Sequence, residues 1–148
     1  MKPWIYGIDN FDESTLSEMV DNVPVGFIYS ITNTNKGKVY IGRKSFLTTR
    51  KVGIGKKAIA NMVDKRGSKK KTIVNQSNWE VYTGSNKQLN EDISSGNNIR
   101  REIIKLCYTK KQMTYWEMYY QFQYDVLREK SYNDNILGKF FRSDLLTD

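Results

Sequence analysis

The chain has no histidine and only one cysteine, Cys107, in 148 residues. Without histidine there is no Ser-His or Cys-His nucleophile pair, no imidazole general base and no common His-based metal site. A single cysteine excludes a disulfide framework and a Cys-based zinc centre. Any chemistry must run on Tyr, Lys, Arg, Asp, Glu or Asn. No apolar run is long enough to span a bilayer, and residues 1–6 lack the apolar core of a signal peptide, so a soluble cytoplasmic protein and no membrane partner are expected. Only two prolines are present. Neither a linker nor an internal repeat is visible, and the length suits one domain.

Positive charge, by contrast, is abundant and uneven. Lys and Arg total 24 against 16 acids, a formal net charge of +8. Residues 1–35 hold one Lys and five acids. Residues 36–71 hold thirteen basic residues and one acid, Asp64. Residues 72–148 hold ten of each. A field concentrated in one stretch steers a polyanion to one part of the surface, with nucleic acid the first candidate and an anionic membrane surface the second. Candidate contacts are Arg43, Lys51, Lys56, Lys57, Lys69, Lys70 and Lys71. The lysines of the 64–71 segment suit phosphate contact without base readout.

The pattern predicts an α+β domain, a small three-stranded, mostly antiparallel sheet flanked by helices. Residues 12–21 suggest a short helix, with Thr15 and Glu18 at capping-box spacing and Ser14 as a competing cap. Residues 25–32 are β-branched and aromatic and predict a strand, returning through the Asn33-to-Gly37 turn into a second strand over 38–42. A turn centred on Thr34 and Asn35 sets Tyr29 directly across from Tyr40. Residues 47–64 are ambiguous, with a helix-compatible run over 57–63. Trp79 to Tyr82 is a short apolar run; core packing is favoured for it over stacking on bases. A helix is expected over 87–93, a third strand over 99–107, and a long helix over 110–129. On that helix Met113, Trp116, Tyr120, Tyr124 and Leu127 form an apolar stripe with Glu117 on its flank.

Phe27-Ile28-Tyr29 followed on the next strand by Tyr40-Ile41-Gly42, then Arg50, Glu117 on a later helix and Tyr132-Asn133 resembles the GIY-YIG nuclease superfamily. That family includes intron-encoded homing endonucleases, some restriction enzymes and an excision-repair nuclease. The resemblance covers roughly residues 24–135, leaving 1–23 as an acidic N-terminal extension and 136–148 as a C-terminal tail of one 1–148 domain. It implies a metal-dependent DNA endonuclease. Glu117 would hold one divalent ion, Mg²⁺ with Mn²⁺ as the alternative, and Arg50 would clamp the phosphate. Tyr29 or Tyr40 would orient or deprotonate the attacking water. Lys44 is an alternative for proton transfer or phosphate contact, and Asn133 either fixes the glutamate or a water, or shapes a turn.

The match has departures. Gly26 stands one place before the family's first glycine, and residues 51–77 are longer than in a minimal family domain. Many members carry a histidine near the arginine, and this chain has none, which leaves the proton-transferring group open. Compact stand-alone enzymes of this type are similar to those of bacteriophages, whose site of action would be the host cytoplasm. The implied partner is double-stranded DNA, and cutting both strands needs a homodimer or sequential nicks. The competing readings are a catalytically inactive DNA-binding module of the same fold and an RNA-directed nuclease or binder.

Overall fold

A computed structural model describes residues 1–61 and 70–145. In chain order its elements are strands β1 (Trp4–Tyr6) and β2 (Asp9–Phe11), helix α1 (Glu13–Ser17), strands β3 (Gly26–Asn33), β4 (Lys38–Ser45) and β5 (Leu47–Gly53), and helix α2 (Lys56–Ala60). Strand β6 (Lys70–Gln76), helix α3 (Lys87–Ser94), strand β7 (Ile99–Cys107), helix α4 (Lys110–Gln123) and the short strands β8 (Asn135–Ile136) and β9 (Phe140–Phe141) follow. One compact unit comprises residues 1–46 and 78–148; residues 47–77 form a second.

The central sheet of the first unit has the order β2-β1-β7-β3-β4. It is mixed, with β1 parallel to β7 and the other pairs antiparallel. The α+β class is as expected, but there are five strands, not three. Strands β1 and β2 are three residues each, too short to show a two-residue period. They turn through Gly7, whose φ of +68° suits glycine.

Strand β3 is central and covered on both faces, which explains its nearly unbroken apolar run. Its odd positions Phe27, Tyr29 and Ile31 join Trp4, Phe11, Phe46, Trp79 and Leu89 in one core. Its even position Ile28 joins Ile41, Cys107, Met113 and Val126 in another. Within the first core Trp4 Nε1 donates to the Trp79 carbonyl at 2.7 Å, and the Phe46 and Trp79 rings meet edge to face at 5.0 Å. Core packing is therefore the role of Trp79.

The β3–β4 register is shifted by two from the expected one. Tyr29 lies opposite Gly42 and Ile31 opposite Tyr40. The turn takes in Lys36 and Gly37, the latter at φ +65°, and the Asn33 side chain accepts from the Asn35 and Lys36 amides. A shift of two preserves the face. Tyr29 and Tyr40 thus remain diagonal neighbours, with ring centroids 6.1 Å apart.

Three boundaries also differ. Helix α1 is shorter than residues 12–21, and its cap is Asp12, whose carboxylate accepts from the Thr15 amide while Thr15 Oγ1 accepts from the Asp12 amide. Helix α4 ends at Gln123 instead of 129 because Asp125 takes a left-handed φ of +52°. Tyr124 is consequently exposed, while Val126 and Leu127 fold back into the core. The ambiguous 47–64 stretch begins with strand β5, and of the run over 57–63, residues 62 and 63 lie outside the described residues.

Candidate active site

Strand β4 is the sheet's edge, and its outer side is closed by side chains. The Val39 carbonyl accepts from the Tyr132 amide at 2.8 Å. Two residues on, the Ile41 amide donates to Asn133 Oδ1 at 3.0 Å, and the Ile41 carbonyl accepts from Asn133 Nδ2 at 2.9 Å and Gln121 Nε2 at 3.1 Å. All three groups are buried, so each bond relieves a desolvation cost. The arrangement fixes β4 against α4 and against the 131–133 segment. Arg142 completes it by donating to the carbonyls of Val126, Ser131 and Asn133.

Tyr40, between those anchors, lines a cleft of about 760 Å³ with Ser85, Glu117, Gln121, Asn133 and Asp134. Glu117 projects from α4 with its side chain 18% exposed, and Arg43 Nε approaches its carboxylate at 3.7 Å. The same guanidinium donates to Thr114 Oγ1 at 2.6 Å. Burial pushes the Glu117 pKa above the ordinary carboxylate range, and Arg43 opposes that in part.

Tyr29 is fully buried beneath Gly42. A Cβ on that glycine would stand 2.5 Å from the Tyr29 hydroxyl and 2.8 Å from its Cζ, so only glycine leaves room for the phenol. Burial first, and then neighbouring Tyr40, hold the Tyr29 pKa far above that of a free phenol. Tyr40 is also raised, chiefly by burial, with its hydrogen bond to Ser85 at 3.3 Å working the other way. Both hydroxyls are protonated at neutral pH, which suits orienting a water better than deprotonating it. Lys44 lies 4.0 Å over the Tyr82 ring, and burial lowers its pKa.

The first unit thus holds Tyr29, Tyr40, Arg43, Lys44, Glu117 and Asn133. The second unit carries Arg50, exposed on β5 opposite Ile73, together with the exposed Lys51, Lys56, Lys57, Lys70 and Lys71. Lys69 lies outside the described residues. Sequence reasoning missed Gln121. Gln121 follows Glu117 by four residues on one helix and shares its face, a legible signal. Tyr82 packs edge-on against Tyr29 at 6.0 Å, the core role expected for the Trp79-to-Tyr82 run.

Among the described residues no three His, Cys, Asp or Glu side chains cluster as a metal cage. A lone half-buried carboxylate opening on a polar cleft does fit a hard cation that keeps waters and substrate oxygens as its other ligands. Among those residues no helix is long and apolar enough to cross a membrane.

A mixed sheet carrying the two tyrosine motifs on a hairpin, with a glutamate presented from the following long helix, defines a nuclease of the GIY-YIG superfamily. The chain belongs to it through the family described as "Putative endonuclease segE, GIY-YIG domain", whose model matches residues 4–141. No curated protein and no solved structure matches the chain.

Proposed function

We propose that the chain is a metal-dependent endonuclease that hydrolyses phosphodiester bonds in double-stranded DNA in the cytoplasm. The observation that carries this reading is the Glu117 carboxylate, half-buried in the cleft lined by Tyr40 and 3.7 Å from Arg43. Glu117 holds one divalent ion, Mg²⁺ by its preference for few protein oxygens and several waters. When bound, the ion supplies Lewis acidity at the phosphate. Tyr40, protonated and lining the cleft, positions the attacking water, and the buried Tyr29 supports the Tyr40 ring from behind. Arg50 clamps the non-bridging oxygens through its planar fork. Lys44, its pKa lowered by burial, is suited to give a proton to the leaving oxygen. Asn133 is a positioning residue, acting through the β4 backbone that carries Tyr40. One such site cuts one strand, so a double-strand break takes a second copy or a second event.

Supercoiled-plasmid nicking with Mg²⁺ or with chelator tests this reading. Wild type nicks only with the metal, and Glu117→Gln is slower by at least about a hundredfold, the scale of several kcal/mol of lost charge stabilisation. Equal cutting by the variant would remove Glu117 from the site. Metal-independent binding with no nicking by wild type would favour the inactive module, and nicking of RNA alone would redirect the substrate.

A further inference from the structure

Residues 47–77 hold nine of the chain's basic residues and one acid, which accounts for the whole net charge of +8. The remaining residues are balanced at fifteen of each sign. The described part of this unit is built on an isolated antiparallel ribbon, β5 paired with β6 alone. Two-stranded ribbons are marginal in water without a layer to pack on. Cross-strand pairs place Thr49 with Val74 and Lys51 with Thr72 on one face, beside Leu47. That face is exposed throughout, with Leu47 and Val74 each 55% accessible. Val52 and Ile73, on the opposite face, are half-buried.

A solvated cationic ribbon needs no methyl-rich exposed face, and charge alone would guard its edges. A face that carries Leu47, Thr49, Thr72 and Val74 beside Lys51, Lys70 and Gln76 fits a polyanion that also presents apolar groups. Double-stranded DNA does so in the major groove, through the thymine methyls. That groove, about 12 Å wide, admits a two-stranded ribbon, whereas the deep, narrow major groove of A-form RNA does not. Seven residues per strand reach about 20 Å, roughly six base-pair steps.

We propose that the β5–β6 ribbon enters the major groove of double-stranded DNA and reads thymine methyls with Leu47, Thr49, Thr72 and Val74. Lys51, Lys56 and Lys57 take the flanking phosphates. Arg50 lies on the other face and has no part in the readout. The inference rests on the DNA reading above and adds to it a built-in, sequence-specific element.

The test uses the full chain in chelator, so that nothing is cut, with a random duplex library selected for binding. Selected duplexes bind about tenfold or more tighter than scrambled ones, the scale of one or two read base pairs. Replacing thymine by uracil in a selected duplex removes only methyls and weakens binding several-fold. Thr49→Ser with Val74→Ala erases most of the preference at unchanged salt dependence. Lys51→Gln with Lys57→Gln lowers the salt slope by about 2 and keeps the preference. Equal affinity for thymine and uracil duplexes overturns the proposal with no variant involved, as does equal binding of duplex RNA or of phosphatidylserine vesicles. Plasmid nicking separates the two readings. Selective binding with no nicking sinks the nuclease alone, and nicking with no sequence preference sinks the ribbon alone.

Discussion

In the first unit Phe27, Tyr29 and Ile31 have lost all contact with water and charges balance, whereas on the β5–β6 ribbon Leu47 and Val74 stand half-exposed in the stretch that holds the chain's excess of cations. In the first region both faces of β3 are covered, and the edge of β4 is closed by Asn133 and Gln121. Among the described residues most of the ribbon's side chains are exposed, and its two strands pair only with each other. One region is a scaffold that presents a carboxylate at fixed geometry. The other carries the cationic excess that would draw in a polyanion.

The sharpest way to break this contrast is at Glu117. The scaffold should tolerate Glu117→Gln, because a carboxyl whose pKa burial has raised binds more protons folded than unfolded between its two pKa values. Its ionised form then costs stability as pH rises through that window. The variant keeps or raises the melting temperature of the metal-free protein at neutral pH while losing at least about a hundredfold in nicking. A lowered melting temperature would mean that the carboxylate holds the fold.

Next in size is the core. Phe27→Ala should cost about 3–5 kcal/mol in denaturant unfolding, against less than about 1 kcal/mol for Ile73→Ala on the ribbon. Comparable losses would mean that Ile73 is packed as tightly as Phe27, contrary to its half-burial.

Two changes of about 1–3 kcal/mol each probe the site's supports. Asn133→Ala strips the Ile41 amide of its buried acceptor. Gly42→Ala drives a methyl against a Tyr29 ring that Trp4 and Tyr82 leave no space to move. Unchanged stability in either would mean that β4 relaxes freely, contrary to the packing described.

The smallest effect is electrostatic. Hydrogen bonds from Tyr132 and then Lys36 hold the Asp92 carboxyl below its ordinary pKa. The stability it contributes is complete above the unfolded-state value and lost as pH falls through the lowered folded one. The gap between wild type and Asp92→Asn in denaturant midpoint should therefore close with acidification. A gap that widened would reverse the sign.

Elements with internal period or punctuation were legible in the sequence: β3 and β4 with their turn, helix α3, strand β7, and α4 with Glu117 on the flank of its stripe. Strands β1 and β2 were not, because three residues carry no period and Trp4 and Phe11 both meet Trp79, far along the chain. The β5–β6 ribbon was hidden for a similar reason. Its strands alternate Thr, Lys and Val with no buried face to impose a pattern, and glycines at 53 and 55 blur the local signal. At the site, Tyr29, Tyr40 and Glu117 could be nominated from motif order alone. That Asn133 and Gln121 converge on the one peptide group of Ile41 could not, since 92 and 80 residues separate them from it.

By itself, then, the sequence determined the family, the absence of histidine chemistry, and the concentration of positive charge in one stretch, because composition and motif order are properties of the chain. Tertiary structure decided the two-residue shift that sets Tyr29 beneath Gly42, the burial that raises Glu117 and keeps both phenols protonated, and the separation of a neutral scaffold from a cationic ribbon. Those depend on which surfaces lose water together, and desolvation is a property of the folded packing that no local window of sequence contains.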